Sequence, residues 1–152
     1  MTAIAGKTDT HENSLMLLLF NNTSYANIGN AGGILQSTVA GSFYISLHTA
    51  DPTEEGSQVT NEVTYTSYAR VAVARASGAG GFTVTAGAVA LASDAVFPAG
   101  TGTSSTATHW GLGVTSGTGA GVLLYGGAIS PSIVCGSGVT PRLTAGTIVT
   151  EA

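Results

Sequence analysis

The stretch Phe43-Tyr44-Ile45-Ser46-Leu47-His48 decides the fold class, because its apolar and polar side chains alternate with a period of two. Alternate residues of an extended chain point to opposite faces, so one face of this stretch is apolar and the other is polar. Such alternation is typical of a β-strand with one face against a core. Residues 65–75 alternate in the same way and predict a second, longer strand.

Shorter apolar runs bounded by Gly, Pro or Ser follow these two stretches. They are Phe82–Thr85, Val89–Leu91, Ala95–Phe97, Thr106–Val114, Val122–Tyr125, Ile133–Cys135 and Thr147–Val149. About eight strands at this spacing predict an all-β protein, a β-sandwich of the jelly-roll type. The glycine runs at 78–81 and 117–121 lack the spacing of a phosphate-binding loop and predict hairpin turns instead.

A short helix is predicted near the amino terminus. Asp9 followed by Glu12 reads as an N-cap with its capping-box partner, ahead of the Leu-rich run Ser14–Phe20, and Asn21-Asn22 ends the helix. Apolar residues on all sides of this helix require cover from its own domain or from a neighbour. We therefore expect an N-terminal arm (1–12), a helical segment (13–30) and a β-sandwich (31–152) within one domain.

The charge content is the most unusual property of the composition. Charged residues make up 8% of the chain, against roughly a quarter in an ordinary soluble domain. No apolar run approaches the roughly 20 residues of a membrane-spanning helix, so no membrane partner is expected. A surface with so little charge is typical of a subunit covered by other subunits, whereas a monomeric Thr/Gly-rich β-protein is the alternative.

The few charges are unevenly placed. Four carboxylates, Asp51, Glu54, Glu55 and Glu62, lie close together in a chain of net charge −4, which predicts one acidic edge. The four cations are too scattered for nucleic-acid binding. Two of them, Arg70 and Arg75, either pair with the acidic edge of a neighbouring subunit or protect the edge of a sheet from stacking; the sequence leaves both interpretations open.

The residues that could carry chemistry do not form a recognisable site. Ser46, His48 and Asp51 are components of a hydrolytic triad, but no nucleophile-elbow motif surrounds any serine. The three histidines lie in different parts of the sequence and show no metal-ligand spacing. The acidic segment that contains Asp51, Glu54 and Glu55 lacks the alternating oxygen ligands of a calcium loop. Cys135 is the only cysteine and reads as a small buried hydrophobe. We expect no catalytic residues, no cofactor and no metal.

Several longer strings carry a family resemblance. They are Tyr44–Pro52, Thr60–Glu62, Tyr68–Arg75, Phe97–Ala99, Thr108–Gly113, Gly119–Gly127 and Thr140–Leu143, together with the Asn13-Ser14-Leu15 opening of the helix. In this combination the chain resembles, over nearly its whole length, a family of small virion proteins of tailed bacteriophages. Members of that family are variously called structural, decoration or tail-fibre proteins.

The resemblance implies a non-enzymatic virion protein made in the bacterial cytoplasm. We expect a capsid decoration or cement protein that stabilises the coat lattice from outside, with the major capsid protein and its own copies, as a homotrimer, as partners. The alternatives are a short tail or fibre component, or an adaptor contacting host or tail, and, from another class, a small carbohydrate-binding β-sandwich. No nucleic acid or small-molecule substrate is expected. The residues predicted to lie at interfaces are Ile4, Leu15, Leu18, Phe20, Asp51, Glu54, Glu55, Arg70 and Arg75.

Overall fold

A computed structural model describes residues 6–150 of the chain. Its helix and strands, in chain order, are α1 (Asp9–Asn21), β1 (Ser42–His48), β2 (Val71–Ala74), β3 (Phe82–Thr85), β4 (Ala88–Leu91), β5 (Ala95–Val96), β6 (Ser105–Gly113), β7 (Leu123–Cys135), β8 (Arg142–Leu143) and β9 (Gly146–Thr150). The all-β class with one short helix is therefore confirmed. The helix begins at Asp9, inside the segment predicted as an arm, and the other predicted domain bounds stay predictions.

Two compact units divide the described residues. Unit 1 holds the residues up to Gly41, Ala74–Ser93 and the residues from Ala145 onward, and unit 2 holds Ser42–Val73 and Asp94–Thr144. Each unit combines segments that are distant in sequence. We describe each of them separately.

Unit 1 packs α1 beside a three-stranded antiparallel sheet in the order β3-β4-β9. Phe20 from the helix meets Phe82 from β3 edge to face, with 5.1 Å between the ring centroids, and both side chains are fully buried. Met16, one turn earlier on the same helix face, is also buried. Burying an aromatic side chain of this size is worth about 1.5–3 kcal/mol, so this contact anchors the helix.

The ends of α1 are capped by groups other than those predicted. Thr8, not Asp9, is the N-cap: its hydroxyl accepts the His11 N–H at 3.4 Å, and Asp9 falls in the first turn, where its charge still suits the helix dipole. The helix ends, as predicted, at Asn21, and Asn22 takes the left-handed conformation (φ 50°) that terminates many helices.

Unit 2 contains a four-stranded sheet in the order β2-β1-β6-β7 and a small sheet of β5 and β8. The antiparallel register sets Ile45 opposite Leu112 and Leu47 opposite Trp110. Ile45, Leu47 and Leu112 are fully buried, which confirms the apolar face predicted for Phe43–His48. On the opposite face lie Ser46 and His48, and these side chains are buried as well.

Two strand predictions were wrong in their bounds. Only Val71–Ala74 of residues 65–75 is a strand, because the chain turns at Ser67 (φ 80°), where the Tyr68 N–H donates to the Tyr65 carbonyl at 3.0 Å. The separate runs 122–125 and 133–135 belong to one strand, β7, which runs through Gly126-Gly127. Gly127 is needed there because a Cβ would lie 2.9 Å from the Trp110 indole nitrogen.

The described strands are distributed over sheets of four, three and two, rather than over the two four-stranded sheets of a regular jelly roll. The glycine run 117–121 joins the antiparallel strands β6 and β7, and Gly78–Gly81 forms a turn before β3. The run 117–121 is therefore a hairpin connection, as predicted, whereas 78–81 is a turn between strands of two different sheets. Within residues 6–150, the single helix is too short to cross a membrane.

Candidate functional site

Unit 2 contains a densely hydrogen-bonded polar group, the Arg70 cluster, which we define as Glu62, Tyr68, Arg70 and the carbonyls of Thr115 and Gly119. Arg70 donates from Nε and Nη2 to the two carboxylate oxygens of Glu62, both at 2.8 Å. Its Nη1 donates to the Thr115 carbonyl at 3.0 Å, and Nη2 also donates to the Gly119 carbonyl at 3.1 Å. A bidentate Arg–carboxylate pair of this kind has a fixed geometry.

Tyr68 completes the cluster from the side of β1. Its hydroxyl donates to Glu62 Oε1 at 2.7 Å and accepts the Leu47 N–H at 3.1 Å. Burial raises the pKa of the Tyr68 hydroxyl, and the hydrogen bonds from Arg70 to Glu62 raise the pKa of the Arg70 guanidinium. Tyr68 therefore stays neutral and Arg70 stays charged over the physiological range.

Arg70 is an internal connection rather than a surface charge. Its side chain is 2% exposed and that of Glu62 is 13% exposed. The prediction that Arg70 protects a sheet edge or pairs with a neighbouring subunit is therefore wrong, because Glu62 and two carbonyls of the same unit already satisfy the guanidinium. Glu62 likewise leaves the predicted acidic edge, since its carboxylate turns inward.

A groove of about 480 Å³ lies beside the cluster. Its lining includes the tip of the glycine-rich β6–β7 connection, Ser116–Thr118, together with Val59, Tyr65 and Ala69. Arg70 fixes this tip through the carbonyls of Thr115 and Gly119. The groove is thus bordered by a loop that is held in place, a setting common for binding surfaces.

The Ser46–His48 pair is buried and does not form a catalytic site. His48 Nδ1 lies 2.7 Å from the Thr60 carbonyl, so this nitrogen carries the proton and donates, and Nε2 accepts the Ser46 hydroxyl at 2.8 Å. Both residues have no exposed surface. Burial lowers the pKa of His48, against the opposing influence of the Thr60 carbonyl and Glu62. A substrate could not reach the Ser46 hydroxyl without opening unit 2.

Asp51, the third candidate for a triad, is used in a different way. Its carboxylate accepts the Thr53 N–H at 2.8 Å and so closes a turn two residues long. Asp51, Glu54 and Glu55 are exposed and form the acidic turn, the part of the predicted acidic edge that remains. A groove of about 540 Å³ separates the residues Asp51–Glu54 from Leu123–Gly126.

The other predicted interface residues occupy different positions in the structure. Phe20 is fully buried inside unit 1, so its predicted place at an interface is wrong. Arg75 donates to the carbonyls of Leu18, Leu19 and Ala40 within the same unit, which makes it a cap for α1. Leu15 and Leu18 are half-buried, and an interface role for them stays a prediction, as it does for the acidic turn. Ile4 lies outside the described residues.

The surface of both units carries large apolar side chains. The exposed ones within residues 6–150 are Ile28, Ile34, Leu35, Val39, Val59, Val96, Val114, Val122, Leu124, Val134 and Val139. Leu35 and Val39 are the most exposed of them, at 72% and 80%. Single exposed apolar residues are ordinary, but here very few charges separate them, so much of the surface can be covered by protein at little electrostatic cost.

Residues that could bind a metal do not come together in groups of three or more within residues 6–150. Cys135 is buried as predicted, and burial raises the pKa of its thiol. The described residues thus offer exposed surfaces and grooves for contact with other molecules. The polar clusters described above form their hydrogen bonds within the protein.

Comparison with known families gives the class of the protein. A family model described as podophage GP4 fiber I protein gp80 matches residues 6–151, nearly the whole chain. The chain therefore belongs to this phage fibre protein family, and it is a structural component of the phage virion. No curated protein matches the chain.

Proposed function

We propose that the protein is a fibre component of the phage tail, in the part of the fibre that is not a shaft. The observation that carries this proposal is the family match over residues 6–151, whose description names a fibre protein. The described residues support a part of the fibre other than a shaft, because their one helix has 13 residues and their longest strand also has 13. A fibre shaft of the coiled-coil or collagen type needs far longer repeats.

Decoration of the capsid, with the major capsid protein as partner, is the second candidate. The observation that favours it is the combination of exposed apolar residues and few charges, which also suits a protein that clamps a coat lattice. In that case the mechanism is mass action: a protein that binds only the assembled lattice stabilises it.

Labelling of intact particles distinguishes the two. Gold-labelled antibodies raised against the purified chain are applied to virions and viewed by negative-stain electron microscopy, with antibody absorbed on the purified chain as control. We expect label at the tail fibres. Label spread over the head shell would replace the fibre assignment with capsid decoration, and particles that never carry label would contradict both.

A further inference from the structure

The groove beside the acidic turn is a preformed feature of unit 2, with a volume of about 540 Å³. We call it the acidic groove and define it by its lining residues, Asp51–Glu54 and Leu123–Gly126. The turn is held against β7 at two places. A Cβ on Gly126 would lie 3.7 Å from Pro52 Cγ. Ser57 pairs with Val122 in an isolated bridge. A groove that exists before binding lowers the ordering cost of binding.

Hydrogen bonds fix the backbone of the acidic turn. The Asp51 carboxylate accepts the Thr53 N–H at 2.8 Å, and Asn61 Nδ2 donates to the Asp51 carbonyl at 3.1 Å. Glu54 and Glu55 are both exposed, but Glu54 lines the acidic groove and Glu55 does not. These adjacent glutamates therefore carry the same charge in two different places.

The lining of the acidic groove combines carboxylates with apolar residues. The carboxylates belong to Asp51 and Glu54 of the turn, and the apolar residues include Leu123 and Leu124 of β7. Leu124 is 37% exposed. A lysine or arginine side chain has the same two parts, since it carries a cationic head on an apolar stem of CH₂ groups. Its stem can cover leucine side chains while its head reaches a carboxylate.

The carboxylates of the acidic turn have no cation beside them within residues 6–150. The cations of these residues already interact elsewhere in the chain. Arg70 and Arg75 are bound inside their own units, Arg142 pairs with Asp94, and Lys7 has contacts of its own. A second copy of the described residues therefore brings no free cation to the groove. Charge complementarity points to a different protein as the source of the cation.

We propose that the acidic groove binds a lysine or arginine side chain carried by a different protein of the virion. The cationic head of that side chain pairs with the carboxylates of Asp51 and Glu54, and its stem packs against Leu124. The same carboxylates repel an acidic segment, which makes the groove selective for a basic one. The contact does not depend on whether the protein sits on the tail or on the head, because other virion proteins surround it in both places.

The test is a titration of the isotope-labelled full chain, followed by NMR, with capped glycine peptides that differ in their central residue. Lysine supplies both parts of the proposed ligand, norleucine supplies the stem without the charge, and diaminopropionate supplies the charge on a single CH₂ group. We expect the lysine peptide, at millimolar concentration, to shift the amide signals of residues 51–55 and 123–126. The other two peptides should each bind at least about threefold more weakly, because each lacks one of the two contacts.

Two matched variants place the cation in the groove rather than near the turn in general. Glu54→Gln should weaken binding of the lysine peptide by about threefold, as expected for an exposed ion pair. Glu55→Gln removes the same charge one residue along the chain, outside the groove, and should change the affinity by less than about 1.5-fold at about 0.1 M salt. Leu124→Ala should weaken binding of the lysine peptide and leave the diaminopropionate peptide unchanged, because the short stem does not reach residue 124.

Equal affinities for the three peptides, or equal losses in Glu54→Gln and Glu55→Gln, would overturn the proposal. It would also be overturned by signal shifts confined to residues outside the groove, by no shift at millimolar lysine peptide, or by equal binding of a peptide with a central glutamate. Because the purified chain is used, these outcomes leave the fibre assignment untouched. Antibody label on the head shell would, in turn, leave the ligand of the groove untouched.

Discussion

Arg70 and Arg75 show how this chain uses two of its four cations. Arg70 joins Glu62 to two carbonyls of the β6–β7 connection, and Arg75 binds three carbonyls around the end of α1. Removing either guanidinium takes a donor away from several acceptors at once. Unsatisfied buried acceptors cost about 1–3 kcal/mol each, so these two residues should matter far more than their number suggests.

Replacing Arg70 by methionine should strongly destabilise unit 2. Arg70→Met leaves the Glu62 carboxylate with a hydrogen bond from Tyr68 but without its cation, and breaking a buried ion pair costs about 3–5 kcal/mol. The measurement is urea unfolding followed by the fluorescence of Trp110, the single tryptophan, which lies in unit 2.

The control for this prediction is Arg142→Met. Arg142 pairs with Asp94 at 3.2 Å, but the two side chains are 59% and 34% exposed, so the loss should stay below about 1 kcal/mol. Equal losses in the two variants would show that the Arg70 cluster is not the internal connection described here.

Stability should fall in mild acid because of His48. The pKa of His48 in the folded protein is lowered from 6.5 by burial, so the unfolded chain takes up a proton first as the pH falls. The contribution of neutral His48 to the free energy of unfolding is therefore complete above pH 6.5. It is lost as the pH falls below 6.5 toward the lower pKa of His48 in the folded protein. Urea midpoints measured from about pH 7.5 to about pH 5 test this, and His48→Gln should show a flatter profile. A wild-type profile that is already flat would contradict the prediction.

At the level of elements, glycines in β6 allow polar side chains to pack against the sheet. A Cβ on Gly111 would lie 2.7 Å from His48 Nε2 and 3.0 Å from the Ser46 hydroxyl. Gly111→Ala should therefore cost about 1–3 kcal/mol, the usual range for overpacking. Gly117→Ala is the matched control, since its Cβ would meet nothing within 4 Å. The measurement is the melting temperature of both variants in thermal unfolding. An unchanged melting temperature for Gly111→Ala would contradict the close packing around Gly111.

Helix α1 has no basic residue in its last turn, and Arg75 supplies the missing cation. Arg75→Met should destabilise the end of the helix by about 1–2 kcal/mol, because a cation and two hydrogen bonds are lost at its negative end. Hydrogen exchange should then speed up for the amides of the last turn and for residues 36–41, whose Ala40 carbonyl is also bound. Exchange that accelerates only outside these segments would argue against the capping role.

Sequence periodicity predicted the helix and strands that are determined by residues close together in the chain. The alternation of Phe43–His48 gave β1, and the Leu-rich run before Asn21 gave α1. It failed where the deciding contact is distant: Ser67 turns a segment that alternates like a strand, and Trp110 of β6 favours a glycine inside β7. The partners of Arg70 and Arg75 were also unpredictable, because several of them are backbone carbonyls that no side-chain pattern reveals.

At the level of the whole molecule, composition and family lead to the same conclusion. A chain with 8% charged residues and eleven exposed large hydrophobics among those described has a surface suited to contact with other proteins. Membership of a phage fibre protein family gives that surface a setting, the assembled virion. The charges that remain outside concentrate in the acidic turn, Asp51, Glu54 and Glu55, which stays available for a partner of opposite charge.

The central proposal, that this chain is a part of a tail fibre other than its shaft, is tested most directly by a cryo-electron microscopy reconstruction of the intact particle. We predict density at the fibre into which the four-stranded sheet of unit 2 fits, strand for strand. The same sheet fitting density on the head shell instead, with none at the tail, would contradict the account.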